Sequence, residues 1–443
     1  MRNYLFFLLF LPMPFLSFFR PWIGMLLWGW LSLLNPHRDL YGFASTLPYN
    51  ELIAIPTLAG WLVSGEFRKL RLDLTVALLI LLWGLMTVST IFSLAPEQSW
   101  PKWDEFSKIM LYAIVLRSFL TTRTRIHTLI WLLVLCLGFY GAKGGALFIA
   151  SGGTHQFTGP PGTMIEDRNY LALAVLMVIP LMNYLRLQSR HLLIRLGLIG
   201  AMLFSVLAVV GTYSRGGFIG LLAMAGTVWL RSRHKLPSLV LVVGALMLLL
   251  HLAPPAWFDR MSTIQSAEQE DDSFKSRLVA WKTYLVAAND RPLTGAGFYA
   301  LNSAVVYFNY QPFETGIDYH NSNARAAHSI YFQLLGELGF PAFFVYFTII
   351  GYCLWCTHSV MVLRSEPPSQ IWRSDLARMM QATFISFLVA GAALSSAFYD
   401  LILITIAIAS TLACQIRPRF HIPTSHQTSK GRLYFLRNSN KVT

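Results

Sequence analysis

Charged side chains are scarce in this chain: only 13% of its 443 residues are Asp, Glu, Lys or Arg. A soluble domain carries about 25%, so a soluble globular fold is excluded. Cysteine is scarce as well. Cys136, Cys353, Cys356 and Cys414 all lie in apolar segments. Cys353-x-x-Cys356 lacks the second ligand pair of a zinc site, so these thiols read as small buried hydrophobes. No His-x-x-x-His or His-Glu-x-x-His spacing occurs, and neither a metal nor a cofactor is expected. There is no P-loop and no Gly-x-Gly-x-x-Gly after a strand, which removes ATP hydrolysis. No repeat with a period of roughly 20–50 residues is visible, which removes a solenoid.

What is present is apolar. Hydrophobic residues make up 55% of the chain and the mean hydropathy is +0.51. Apolar runs of roughly 18 residues or more recur along it, the signature of transmembrane helices. Barrel strands are shorter and alternate. The fold class is therefore an all-α polytopic membrane protein of about twelve helices, within a range of roughly eleven to thirteen. The net charge of +14 does not indicate nucleic acid, because the cations sit in short loops where membrane topology needs them.

The candidate spans are 5–34, 49–64, 73–92, 105–120, 126–150, 169–185, 192–212, 216–230, 236–253, 328–357, 376–396 and 400–416. Every second connection is basic, as in Arg68-Lys69-Arg71, Arg123 with Arg125, Arg186 with Arg190, and Arg373 with Arg378. By the positive-inside rule these face the cytoplasm. The connections 93–104, 151–168, 213–215, 254–327 and 397–399 then face outward. The first 48 residues allow two readings. One kinked span leaves both termini cytoplasmic, whereas a hairpin at Arg20-Pro21 moves the N-terminus outside. No small-residue cleavage site follows the N-terminal apolar run, so it reads as retained membrane helix.

This gives four regions. Residues 1–253 are N-terminal transmembrane helices and 254–327 form one large periplasmic loop between the ninth and tenth spans. Residues 328–416 are C-terminal transmembrane helices, and 417–443 form a polar cytoplasmic tail with a disordered composition. The loop holds the densest acidic run, Glu268, Glu270, Asp271 and Asp272, which reads as solvated surface or an acceptor-facing rim.

The outward connections hold the candidate chemistry. Gly211-Thr-Tyr-Ser-Arg215-Gly-Gly217 falls at a helix junction, where an arginine at membrane depth is costly unless it is paired or used. Its glycines would expose amides beside a helix start, which suits an anion; the plain alternative is an arginine snorkelling to headgroups. Arg277 opens a helical stretch with Leu278, Trp281 and Leu285 on one side, read as an amphipathic helix on the bilayer. His328 enters the next apolar run. Histidine is the usual general base near neutral pH, although a lone histidine is more often structural. Lys143, Glu166, Asp167, Arg291 and Asp400 complete an outer vestibule of mixed sign, each with a capping or snorkelling alternative. Two cations and a base suit transfer from a pyrophosphate-linked donor. The cations steady the leaving group while the base takes a proton from the acceptor hydroxyl.

Three segments carry a family likeness: Ser214-Arg-Gly-Gly217; Ser276-Arg277 to Trp281 followed by Arg291-Pro292 and Gly295-Ala-Gly297; and Ala327-His328-Ser-Ile-Tyr331 with Gly336-Glu-Leu-Gly339. In order and spacing they resemble the O-antigen ligase/polymerase superfamily, over most of residues 50–400. Asn35-Pro-His-Arg38, Phe139-Tyr-Gly-Ala-Lys-Gly-Gly145, Gly159-Pro-Pro-Gly162 with Ile165-Glu-Asp167, and Trp257 to Ile264 are similar to the O-glycosylation ligases that accompany exosortase systems. Arg168-Asn169 departs from the Asn-Asn expected there, which affects the role of residue 168 alone.

The resemblance implies that Arg215 and Arg277 bind the donor pyrophosphate and that His328 is the base. It implies a metal-independent inverting glycosyltransferase of the bacterial inner membrane. Its partners would be an undecaprenyl-diphosphate-linked glycan, an acceptor protein or lipid, and the bilayer. Protein O-glycosylation is the leading reading. An O-antigen ligase acting on lipid A–core, or a polymerase, would share the site, and a transporter or flippase is the alternative from another class.

Overall fold

In a computed structural model of the protein, the described residues are 2–232, 235–237, 239–240, 243–244, 247, 254–255, 257–258, 272–312, 324–362 and 370–414. Most of the span expected over 236–253 lies outside them, as do Glu268, Glu270, Asp271 and the tail from Arg417.

The described residues are helical and contain no strand. Five helices are long and apolar enough to cross a membrane: Leu74–Ile91 (α5), Arg123–Ala150 (α7), Arg168–Gln188 (α8), Leu192–Gly211 (α9) and Ile330–Val362 (α13). The remaining helices are Arg2–Phe10 (α1), Met13–Phe19 (α2), Pro21–Leu34 (α3), Tyr49–Val63 (α4), Pro96–Phe119 (α6), Arg215–Arg231 (α10), Asp272–Asp290 (α11), Ala304–Tyr310 (α12), Ile371–Gly391 (α14) and Asp400–Cys414 (α15).

The N-terminal ambiguity resolves to the hairpin. Arg20 is non-helical, and Pro21, which has no N–H to leave unpaired, opens α3. The two arms fold back on each other. A Cβ on Gly24 would lie 3.0 Å from the Ser17 Cβ, and the Phe6 and Trp30 rings stack at 6.3 Å. Helix α4 returns beside them with its Tyr49 ring against Phe10 at 4.7 Å.

Helix α8 is the central post. Nearly all of its residues from Leu171 to Leu185 are buried, against α7, α9, α10 and α14. Helices α7 and α9 cross closely because Gly141, Gly144 and Gly145 leave room for Phe204, Ser205 and Ala208, the small-residue packing that membrane helices use.

The connections gather at two opposite ends. At one end Arg117, 8% exposed, pairs with Asp73 and with Ser410. There Arg123 also donates to Gln188 at 3.0 Å, and Gln188 to Asp375 at 2.8 Å. At the other end the Leu94 amide donates to the Ala296 carbonyl at 2.9 Å, and the Tyr213 hydroxyl to the Gly153 carbonyl at 2.6 Å.

Helix α13 bends at Gly339 (φ 78°, ψ −179°), just before Pro341. The break frees backbone groups that a low-dielectric interior cannot leave unpaired. The turn Arg291–Gly297 takes them up: the Phe340 amide donates to the Pro292 carbonyl at 2.9 Å, and the Ala296 amide to the Gly336 carbonyl at 2.8 Å. A Cβ at Gly339 would lie 2.6 Å from that Pro292 oxygen, so this position requires glycine.

Candidate functional site

Four helix ends and one docked helix meet at the end that carries Gly153, Ser395 and His328. The start of α10 is fixed by Ser214, whose hydroxyl accepts from the Gly217 amide at 3.1 Å, a regular N-cap. Tyr213 before it is left-handed (φ 54°), which lets α9 turn into α10 within three residues. Arg215 is the first residue of α10 and is half-buried.

The glycines after Arg215 serve differently from the sequence expectation. The Gly217 amide is already taken by Ser214, and both glycines are buried. A Cβ on Gly216 would meet Ala393 at 3.1 Å, and one on Gly217 would meet Ala172 at 2.9 Å. They let α10 pack tightly on α14 and α8, and the Gly217 amide serves the Ser214 cap.

The start of α8 is capped by Asp167, which accepts from the Asn169 amide at 2.8 Å. One turn in, the Tyr170 hydroxyl donates to the Ser395 carbonyl at 2.8 Å. Ser395 follows α14 and also receives the histidine: its hydroxyl accepts from the His328 amide at 2.7 Å. His328 is half-buried and left-handed, with φ 46°.

Helix α11 completes the group. Arg277, Trp281, Tyr284 and Ala288 recur along one face at helical spacing. The Trp281 indole donates to the Ala327 carbonyl at 2.8 Å and stacks on Phe332 at 5.2 Å. The Tyr284 hydroxyl reaches the Arg325 carbonyl at 3.5 Å. Trp281 therefore packs on α13, while Leu285 stays 38% exposed.

Electrostatics ties these pieces together. Burial pushes the His328 imidazole below its ordinary pKa, and the Arg277 and Arg325 guanidinium groups push it the same way. The Asp167 carboxylate acts in the opposite direction. At neutral pH the ring is thus neutral and able to accept a proton. His328, Arg277 and Asp167 share one electrostatic neighbourhood, and Arg215 opens α10 one residue before Gly216, which packs on Ala390 and Ala393.

The other vestibule residues sit elsewhere. Glu166 accepts from the Gly162 amide at 2.7 Å and so closes the loop 159–167. Arg291 donates to the Phe92 carbonyl at 2.6 Å and braces the turn beside the α13 bend. Lys143 is exposed on α7, beside the glycines that face α9. Asp400 opens α15 and lines a cavity with Asn50 and Lys108.

Several residues at this end were not singled out from sequence. Glu337 is 1% exposed, accepts from the Tyr299 amide at 3.1 Å and is hydrogen-bonded by Gln333. Gln333 in turn accepts from the Ala397 amide at 3.2 Å. A carboxylate inside an apolar run is a legible signal, and Glu337 offered it. Ser395, Tyr170 and Tyr299 gave none, because hydroxyls in apolar runs are commonplace.

Residues 200–347 match the family model described as O-Antigen ligase. The matched stretch includes Arg215, Arg277 and His328. Residues 1–190 match a second model, a family of unknown function (DUF5935). No curated protein matches the chain. The O-antigen ligase match, together with the apolar helices, supports a multi-pass membrane protein of the glycan ligase or polymerase type.

Proposed function

We propose that this protein transfers a saccharide from a polyprenyl-diphosphate carrier to an acceptor hydroxyl at the periplasmic face of the inner membrane, in protein O-glycosylation. The observation that carries the reading is a neutral, anchored His328 in the field of Arg277 and Asp167, at the end where Arg215 begins α10. In the reaction His328 removes the proton of the acceptor hydroxyl as its oxygen attacks the anomeric carbon. The bond from that carbon to the carrier phosphate breaks, and the electron pair leaves on the pyrophosphate. Arg215 and Arg277 offset that developing charge. Attack opposite the leaving group inverts the anomeric centre, and none of these steps routes through a metal. The carrier is read as undecaprenyl diphosphate, whose chain would lie among the helices.

The test uses the full-length protein in vesicles supplied with lipid-linked saccharide. His328→Ala is expected to abolish transfer while the membrane level is unchanged; retained activity rejects the mechanism. Supplying an acceptor protein, lipid A–core or a second lipid-linked saccharide separates glycosylation, ligation and polymerisation, since all three share the site. Donor already placed in the outer leaflet separates transfer from transport.

A further inference from the structure

Two cavities lie at the same end of the molecule, on the Ser395 and Tyr170 side of His328. One, of about 240 Å³, is lined by Tyr170, Tyr299, Gln333, Ser395 and the Lys102–Glu105 pair. The other, of about 280 Å³, is lined by Asn35, Arg38, Asn50, Glu51, Lys108 and Asp400. Glu105, Ile109 and Met164 border both, so the two adjoin as one cleft. Taken together they fall in the ~300–1,000 Å³ range of small-molecule sites.

The wall chemistry is specific. Its charges are largely matched internally: Lys108 pairs with Glu51 at 3.1 Å and with Asp104 at 2.9 Å, and Lys102 with Glu105 at 2.7 Å. The cleft therefore does not select a strongly charged ligand. Asn50 and Asp400 line it, and each has a buried side-chain oxygen, Oδ1, without a hydrogen-bond partner. Both are acceptors, so they call for a ligand that donates. Phosphate offers only acceptors, whereas a sugar offers many hydroxyl donors. Trp28 and Tyr112 supply aromatic surface at the closed side. The loop 159–167 borders the outer side, with Gly162 packed near the Arg38 guanidinium and its amide held by Glu166.

We propose that this cleft binds the saccharide of the reaction, and that the segment of unknown family, residues 1–190, supplies its specificity. Within that segment fall Arg38, Asn50, Glu51, Glu105, Lys108 and Met164, while the proposed base and both proposed phosphate arginines fall in the ligase-matched segment. The cleft is too small for a folded acceptor protein. The assignment rests on the glycan-transfer reading, and its test is read by binding, independently of transfer.

The experiment measures equilibrium binding to the purified full-length protein in nanodiscs. One arm uses the saccharide released by mild acid from the native host's lipid-linked donor. The second uses the core oligosaccharide released from the host's lipopolysaccharide. Binding of the first assigns the cleft to the donor glycan, and binding of only the second assigns it to the acceptor. Asn50→Leu is expected to weaken binding about tenfold, the order of one lost hydrogen bond. Asn50→Asp, which keeps the acceptor oxygen, is expected to bind within about threefold of the parent. His328→Ala is expected to bind normally although it does not transfer. Failure of both saccharides to bind, or equal binding by Asn50→Leu, overturns the cleft assignment. Transfer by His328→Ala would instead overturn the reading of the reaction.

Discussion

His328 sits in a backbone conformation that a side-chain-bearing residue adopts at a cost of roughly 1–2 kcal/mol, with φ 46°, and the peptide before it is held by two contacts. The Ser395 hydroxyl accepts its amide, and the Trp281 indole fixes the carbonyl just before it. Ser395→Ala should therefore release the loop, and transfer is expected to fall about tenfold, one hydrogen bond's worth, at unchanged protein level in a vesicle assay. The pH dependence follows from the same surroundings. The imidazole titrates below its ordinary 6.5, driven by burial, Arg277 and Arg325 and opposed by Asp167. A base works when neutral, so transfer should rise with pH through that lowered pKa and be flat at neutrality. Arg277→Gln removes a lowering charge and should move the acidic limb up. Asp167→Asn removes a raising charge, keeps the helix cap and should move it down. A pH–rate profile of the three proteins checks the signs. The depressed pKa also adds a small stability that is present above the unfolded-state value and is lost as pH falls through the folded one.

At the scale of elements, glycine is where local composition and tertiary need part company. Gly141, Gly144 and Gly145 lower helix propensity, yet α7 runs through them because α9 lies against that face. Gly145 packs on the Phe204 backbone, which cannot move aside as a side chain end can. Gly145→Leu should destabilise by about 1–3 kcal/mol through overpacking, seen as a lower melting temperature by fluorescence-detected size exclusion, whereas Gly226→Ala, in open space, should be silent. The apolar runs were legible as helices because hydropathy reports burial from water whatever the neighbour. The partners of α11 were not legible for the same reason: Trp281 is apolar towards lipid and protein alike, and hydropathy does not name the Ala327 carbonyl or the Phe332 ring it meets.

For the whole molecule, the hairpin at Arg20–Pro21 brings residue 3 to the end that carries the loop 159–167. The Asn3 side chain donates to the Tyr41 carbonyl at 2.7 Å, on the connection whose Arg38 meets Gly162. In a cysteine-free background, Asn3→Cys and Met164→Cys should react with an impermeant maleimide from one side of the membrane, and Arg190→Cys from the other. Reaction of Asn3→Cys together with Arg190→Cys would replace the hairpin by a single kinked span. Sequence by itself determined the class of molecule and most of the helical segments among the described residues, and it nominated Arg215, Arg277 and His328 as candidates for transfer chemistry. Each of these is written in local hydropathy, charge and short motifs. Only the tertiary structure decided that Ser395 holds His328, that Asp167 and Arg277 share its field, and that residues from α3, α4, α6 and α15 wall one cleft. Those partners stand tens to hundreds of positions apart in the chain. Their pairing depends on which helix ends meet, and no local pattern encodes that.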